Sequence, residues 1–391
     1  MGLLIPYLLR SHGVPVDRIA GVAALAGLPG IISFLWAPIV DLGLRRRTWI
    51  VISCALAATS SCLAILQSRG QADGSLGWLT AFWFAGNAGN CLTFSATGAA
   101  LASLQPDVHG RASGWIQVGN VGAGALAGGG AIWLAGKVDL PVLAVVSMLV
   151  LFLPSLAALR ITEDLRPRMA PIPLLRALAG DIRNVLWSRR TAVGLLFFLS
   201  PVGAGELGGL ISSVGPDYHV SSGEVAWMSG LGGGLLLAFG GLLGGFVCDR
   251  MHRMTAYALF GILAAVFAAW LALGPATAFT YGAAYAGYAF STGLASAAFV
   301  ALVLDVLGRG RRAAATGFSL LFSCGNLPVA YMKWVDGLGY RHSGARGLMG
   351  ADALASGIGG LVLLLIARYC ARRWRSIDPA TLPAPVTAPL S

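Results

Sequence analysis

Charge is what this sequence has least of. Asp, Glu, Lys and Arg make up 11% of its 391 residues, where a soluble domain carries about a quarter. A globule surrounded by water is therefore excluded. Histidine is scarce too, and its five copies show no metal-ligand spacing. The six cysteines (Cys54, Cys62, Cys91, Cys248, Cys324 and Cys370) form no CxxC pair. Most lie inside apolar runs and read as small packing residues rather than redox or metal groups. The sequence has no phosphate-binding loop and no nucleophile–base constellation. ATP-driven transport and membrane-enzyme chemistry are set aside on that ground, and no cofactor is expected.

What is present is apolar and periodic in length. Apolar residues make up 57% of the chain, and they fall in runs near the ~20 residues that span a bilayer core as a helix. Eleven full candidate spans read as 19–40, 48–67, 77–101, 112–135, 140–159, 191–214, 226–247, 254–273, 277–302, 313–335 and 348–369. A partial span covers residues 1–11; only nine residues precede Arg10, so the first helix is expected to lack half its length. The expected fold is an all-α integral membrane protein with twelve helices, the first truncated, in two bundles. Residues 1–159 form the first six-helix bundle, 160–190 a linker, 191–369 the second bundle and 370–391 a tail.

The formal net charge of +11 is distributed as a topology signal, not as a nucleic-acid footprint. With the chain starting in the cytoplasm, twenty of the 27 Lys and Arg residues fall on the cytoplasmic side. That is the positive-inside bias. It predicts both termini and the linker in the cytoplasm, and the cytoplasmic inner membrane of a bacterium is the expected location. Membrane lipids and a small-molecule solute are the expected partners, nucleic acid is not, and the chain is expected to act as a monomer. Within the linker, Leu174, Leu175, Leu178, Ile182, Val185 and Leu186 recur at helical spacing, with Arg176, Asp181 and Arg183 between them. This predicts an amphipathic helix on the membrane surface that joins the halves.

The halves repeat two short patterns. The second run ends Ala37-Pro38-Ile39-Val40-Asp41, followed by Arg45-Arg46-Arg47. The eighth ends Gly245-Phe246-Val247-Cys248-Asp249-Arg250, followed by Arg253. Ser113-Gly114-Trp115 near the start of the fifth run is matched by Thr316-Gly317-Phe318 near the start of the eleventh. Both matches lie at nearly the same offset, as a duplicated six-helix unit requires.

An Asp at the end of the second helix with an Arg cluster before the third resembles the loop signature of the major facilitator superfamily, G-x-x-x-D-[RK]-x-G-[RK]-[RK]. Ala37, Leu42 and Leu44 depart from it; Gly245, Asp249 and Arg250 of the second copy keep it. Phe34-Leu35-Trp36-Ala37-Pro38 resembles, more weakly, the muropeptide permease and acetyl-CoA transporter branch, although 82–100 lacks the acidic residues of that branch. The resemblance implies a secondary transporter that works by alternating access. It also implies a cytoplasmic gate made of Asp41, Asp249 and the neighbouring Arg45, Arg46, Arg47, Arg250 and Arg253. A non-transporting receptor or a lipid flippase on the same scaffold is the alternative.

Both aspartates stand at helix C-termini, where the dipole disfavours them; the nearby arginines are the expected compensation. Glu206 is the acidic residue farthest from any predicted membrane edge, with Asp352 its nearest rival. It lies among Pro201, Gly203, Gly205, Gly208 and Gly209. A carboxylate at that depth is costly and functional by default, which makes Glu206 the proton-coupling candidate. Asn87, Asn90, Gln117, Asn120, Tyr281, Tyr285, Tyr288 and Asn326 are the candidates for a mostly neutral solute cavity with aromatic walls.

Overall fold

A bilayer offers no water to backbone N–H and C=O groups, so a chain this apolar must satisfy them inside its own helices. The computed structural model describes residues 4–41, 44–69, 73–161, 171–204, 207, 211–309 and 313–374, and every regular element among them is helical. The first half contains α1 (Leu4–Ser11), α2 (Val16–Ile31), α3 (Ser33–Asp41), α4 (Arg46–Gln67), α5 (Asp73–Leu101), α6 (His109–Gln117), α7 (Ala123–Ala135) and α8 (Leu140–Phe152). The linker helix α9 (Pro171–Leu186) follows. The second half contains α10 (Arg189–Phe198), α11 (Ser222–Trp227), α12 (Gly233–Cys248), α13 (Arg253–Leu273), α14 (Ala278–Leu307), α15 (Ala314–Cys324) and α16 (Asn326–Trp374). Among the described residues, seven helices are long and apolar enough to cross a membrane, or eight if the bent pair of α2 and α3 is one span. Pro29 and Pro38 lie inside that pair; each lacks an N–H and loosens the helix around it. Single π-helical turns at Val118–Gly122 and Met228–Gly232 join α6 to α7 and α11 to α12.

Two expected spans are built differently. The run 191–214 is not one helix. α10 stops at Phe198, the chain turns through Pro201 and Gly203, and a 3-10 turn follows at Ile211–Tyr218. Gly203 has φ +72°, a left-handed conformation that glycine adopts without a Cβ clash. The carbonyls freed by the break are taken up by side chains. Tyr331 donates to Leu199 at 2.9 Å, Tyr257 to Val202, and Tyr281 to Ile211 at 3.1 Å. The second departure is at the end. The gap expected at 336–347 is helical up to a reversal at Ser343 and Gly344, the latter with φ +63°. The two arms of this hairpin meet at Gly339 and Gly347, where a Cβ on either would come within 2.3 Å of the other's carbonyl oxygen.

The second half packs around α14. Small residues let its neighbours approach to backbone contact: a Cβ on Gly293 would lie 2.1 Å from the Leu237 carbonyl, and one on Gly240 2.1 Å from that of Phe290. Van der Waals packing of this kind, rather than burial from water, holds helices together in lipid. Leu25, Leu35, Val150, Phe239, Leu354 and Leu365 remain exposed on the outside, as a lipid-facing belt requires.

Candidate functional site

The two halves meet at one end of the molecule through a crosswise pair of caps. Asp41, the last residue of α3, is 4% exposed. Its carboxylate accepts from the backbone N–H of Ala315 at 3.1 Å and of Thr316 at 2.8 Å, and from the Thr316 hydroxyl at 2.7 Å. These are groups of the first turn of α15, where four N–H groups have no partner within their own helix. Asp249, the C-cap of α12, does the same to α6. It accepts from the N–H of Gly110 at 2.7 Å and of Arg111 at 3.0 Å. Each aspartate stands unfavourably at the end of its own helix and favourably at the positive N-terminus of a helix from the other half. Neither α6 nor α15 has a side-chain cap from its own N-cap residue.

The helix N-termini, rather than the arginine cluster alone, therefore answer the carboxylates. For Asp249 the charged partners are Arg111, whose Nε donates at 2.9 Å, and Arg253 at 3.9 Å. Arg250 instead donates to the carbonyl of Phe246 at 3.4 Å. Arg253 also pairs with Asp305 and donates to the carbonyl of Pro106. Arg45 is exposed, and Arg46 and Arg47 are half-buried at the start of α4. Glycine makes the approach possible: a Cβ on Gly110 would fall 2.4 Å from both Asp249 Oδ1 and the Gly245 carbonyl, and one on Gly245 would fall 2.4 Å from the Gly110 carbonyl. The linker helix joins the same region, with Asp181 accepting from the N–H of Ala313 at 3.4 Å.

An aromatic layer closes the space behind the caps. Phe94 of α5 packs against Phe318 and Phe322 of α15 with ring centroids 5.5 and 4.7 Å apart. Phe299 and Phe198 extend the cluster into the second half. Hydroxyl pairs between Ser95 and Ser319 (2.6 Å) and between Ser33 and Ser323 (2.9 Å) reinforce the contact between halves.

Beyond this layer stand amides. Asn90 is one helical turn before Phe94 and shares its face; Asn326 is one turn after Phe322. Asn90, Asn120 and Asn326 are all exposed. Asn90 and Asn120 are eleven residues, and Asn326 twelve, from the closed ends of their helical segments at Leu101, His109 and Ala314, or about 16–18 Å at 1.5 Å per residue. That is half the depth of a bilayer core. The other candidates are placed differently. Asn87 donates to the carbonyl of Ala26 at 2.7 Å and ties α5 to α2. Gln117 is buried against Gly241 of α12. Tyr281, Tyr285 and Tyr288 are buried inside the second half. Glu206 lies outside the described residues.

The structure also brings forward Asp352, expected as the nearest rival of Glu206, and several groups that the sequence left unmarked. Asp336 and Asp352 are 0% and 1% exposed and stand on facing arms of the α16 hairpin, both in electrostatic reach of the buried Tyr288. Asp336 was hidden because the expected span ended one residue before it. Arg111, His109 and Asp305 were missed because their partners are remote in sequence. The repeated Ser-Gly and Thr-Gly patterns marked the starts of α6 and α15, so that signal was present, but nothing in it said that the repeats dock crosswise. Among the described residues, no group of three or more His, Cys, Asp or Glu side chains is arranged to hold a metal ion.

A family model described as the Major Facilitator Superfamily matches residues 1–330. A search among curated proteins found no match. Solved structures share the fold. The human organic anion transporter MFSD10 (TETRAN) aligns with a TM-score of 0.67 at 17% identity, over 92% of this chain and 88% of that one. The proton:xylose symporter XylE, bound to 6-bromo-6-deoxy-D-glucose, aligns with 0.68 at 12% identity, over 94% and 93%. A bacterial homologue of the iron transporter ferroportin in its outward-facing state aligns with 0.58 at 18% identity, over 94% and 98%.

Proposed function

The chain belongs to the Major Facilitator Superfamily, and from that premise we propose that it is a secondary transporter moving a small, mostly neutral polar solute by alternating access. The observation that carries this reading is the order of parts along the axis between the halves. Two crosswise caps come first, then the phenylalanine layer, then exposed amides at mid-depth. A solute held at Asn90, Asn120 and Asn326 would be barred from the capped end and would be released there once the caps part. Carboxamides donate and accept without charge, which suits hydroxyl or amide groups better than phosphate or carboxylate. The sugar bound by the proton:xylose symporter belongs to that chemical class.

The capped end is assigned to the cytoplasm. Arg45, Arg160, Arg183, Arg189, Arg190 and Arg250 are exposed there, as the positive-inside bias requires. The shape is then outward-facing, and the protein acts as a monomer in an inner membrane. Glu206 remains the candidate for proton coupling, on sequence grounds alone. The test is uptake into proteoliposomes across a panel of neutral sugars, polyols and amides, with and without a pH gradient. One solute is expected to accumulate, and Asn90→Ala with Asn326→Ala should raise its KM about tenfold or more, the loss of two hydrogen bonds at 0.5–1.5 kcal/mol each. Accumulation that both substitutions leave unchanged would remove the amides from the solute path.

A further inference from the structure

The two caps are not equivalent, and the difference is a histidine. At the first position of α6, directly before the N–H groups that Asp249 accepts, stands His109; the first position of α15 is Ala314. His109 is 1% exposed. Its Nδ1 lies 3.3 Å from Asp305 Oδ1 at the end of α14, and its Nε2 lies 3.2 Å from the carbonyl of Leu104. Asp305 belongs to the second half and Leu104 to the first.

Both partners are acceptors. The Leu104 carbonyl has no proton to give. Asp305 Oδ1 also takes the Arg253 guanidinium, so it faces the ring as an acceptor. A neutral imidazole carries one N–H and one lone pair, so it satisfies one partner and turns its lone pair against the other. The imidazolium carries two N–H groups and satisfies both. From this geometry we infer that His109 is a proton-operated lock between the halves: charged, it bridges Leu104 to Asp305 and holds the capped end shut; neutral, it releases one side of that bridge.

Among the described residues, charged and titratable groups from four segments surround the ring. From α12 come Asp249 and the buried Cys248 thiol, from α13 Arg253, and from α14 Asp305; Arg111 and the exposed Asp107 belong to its own segment. Asp249 and Asp305 are already paired with Arg111 and Arg253. Opening the end separates His109 from Asp305. Only the closed end offers the charged ring both acceptors, so linkage requires closure to strengthen as pH falls and weaken as pH rises. Histidine is the side chain whose ordinary titration lies within pH 5–8.

The experiment reads conformation without substrate, so it stands apart from any proton-coupled uptake. Spin labels at Arg160→Cys and Arg309→Cys, one on each half at the capped end, are placed in the full chain with its native cysteines replaced, reconstituted in lipid nanodiscs. Pulsed electron–electron resonance then gives the closed and open populations at about pH 5.5 and pH 8. The closed-to-open ratio is expected to fall by roughly fivefold or more on going to pH 8, the lower end of typical coupling between sites. His109→Gln should make the ratio independent of pH at the open-shifted value. His109→Arg should make it independent of pH at the closed-shifted value, which also shows that the variants fold. A wild-type ratio that does not move with pH, or a pH response retained in either variant, overturns the inference.

Discussion

Asp41 and Asp249 show how a side chain that is wrong for its own helix can be right for another. Each carboxylate sits where its own macrodipole repels it and where a foreign one attracts it. An N-cap of this kind is worth about 0.5–2 kcal/mol, and hydrogen bonds to a charged group about 1.5–3. Asp41→Asn keeps the shape but presents an amide to three donors. Every 1.4 kcal/mol is a factor of ten, so Asp41→Asn should raise maleimide labelling of a cysteine at the capped end about tenfold, slow transport, and leave the helical content unchanged. Full transport in the Asp41→Asn, Asp249→Asn double variant would reduce both residues to topological charges. Glu206 carries the other prediction at this scale. Hiding an acidic group at mid-bilayer costs at least ~2.5 kcal/mol if it is charged, and protonation removes that cost. Glu206→Gln should abolish accumulation driven by a pH gradient while solute exchange continues. If accumulation survives, the buried Asp336 and Asp352 are the next carboxylates to test.

Among the helices, glycine serves two purposes that mutation separates. Gly293 lies within the second half, pressed on the Leu237 carbonyl of α12; Gly110 lies between halves, pressed on Asp249 and the Gly245 carbonyl. Overpacking a tight contact costs about 1–3 kcal/mol. Gly293→Ala should therefore lower the melting temperature of the purified protein in either transport state, because its contact persists through the cycle. Gly110→Ala should instead shift the equilibrium towards the state open at the capped end, by roughly fivefold or more in label accessibility, with a smaller change in melting temperature. Equal melting shifts for the two would mean that the α6–α12 contact never opens. The interrupted span after α10 belongs to this scale as well. Tyr331, Tyr257 and Tyr281 satisfy carbonyls that its break leaves free, which explains why Tyr281, one of the three tyrosines expected as cavity walls, stands inside the packing.

The whole molecule is a pair of helix bundles joined at one end by the crosswise caps, and the sidedness of that end is the remaining structural prediction. A cysteine at exposed Asp217 should react with an impermeant maleimide applied outside intact cells, and one at exposed Asn184 of the linker helix should react only after permeabilisation. The reverse pattern would turn the protein over in the membrane and make the shape inward-facing.

Composition alone placed the chain in a bilayer, because a chain with 11% charge has no other solvent, and the spacing of apolar runs located most helices. Local patterns also marked Asp41, Asp249 and the starts of α6 and α15, since capping residues and small residues leave a signature within a few positions. The pairing of those marks was not legible. Asp41 lies 275 residues from Thr316, and no local rule says which of many helix N-termini a carboxylate will reach. The same distance hid His109 from Asp305 and Phe94 from Phe322. Residue depth was only half legible for a related reason. Hydropathy ended a span just before Asp336, but tertiary packing buried it, with Asp352, in a helical hairpin whose arms meet at Gly339 and Gly347. Chemistry that depends on neighbours in sequence could be read in one dimension; chemistry that depends on which surfaces meet was decided by the fold.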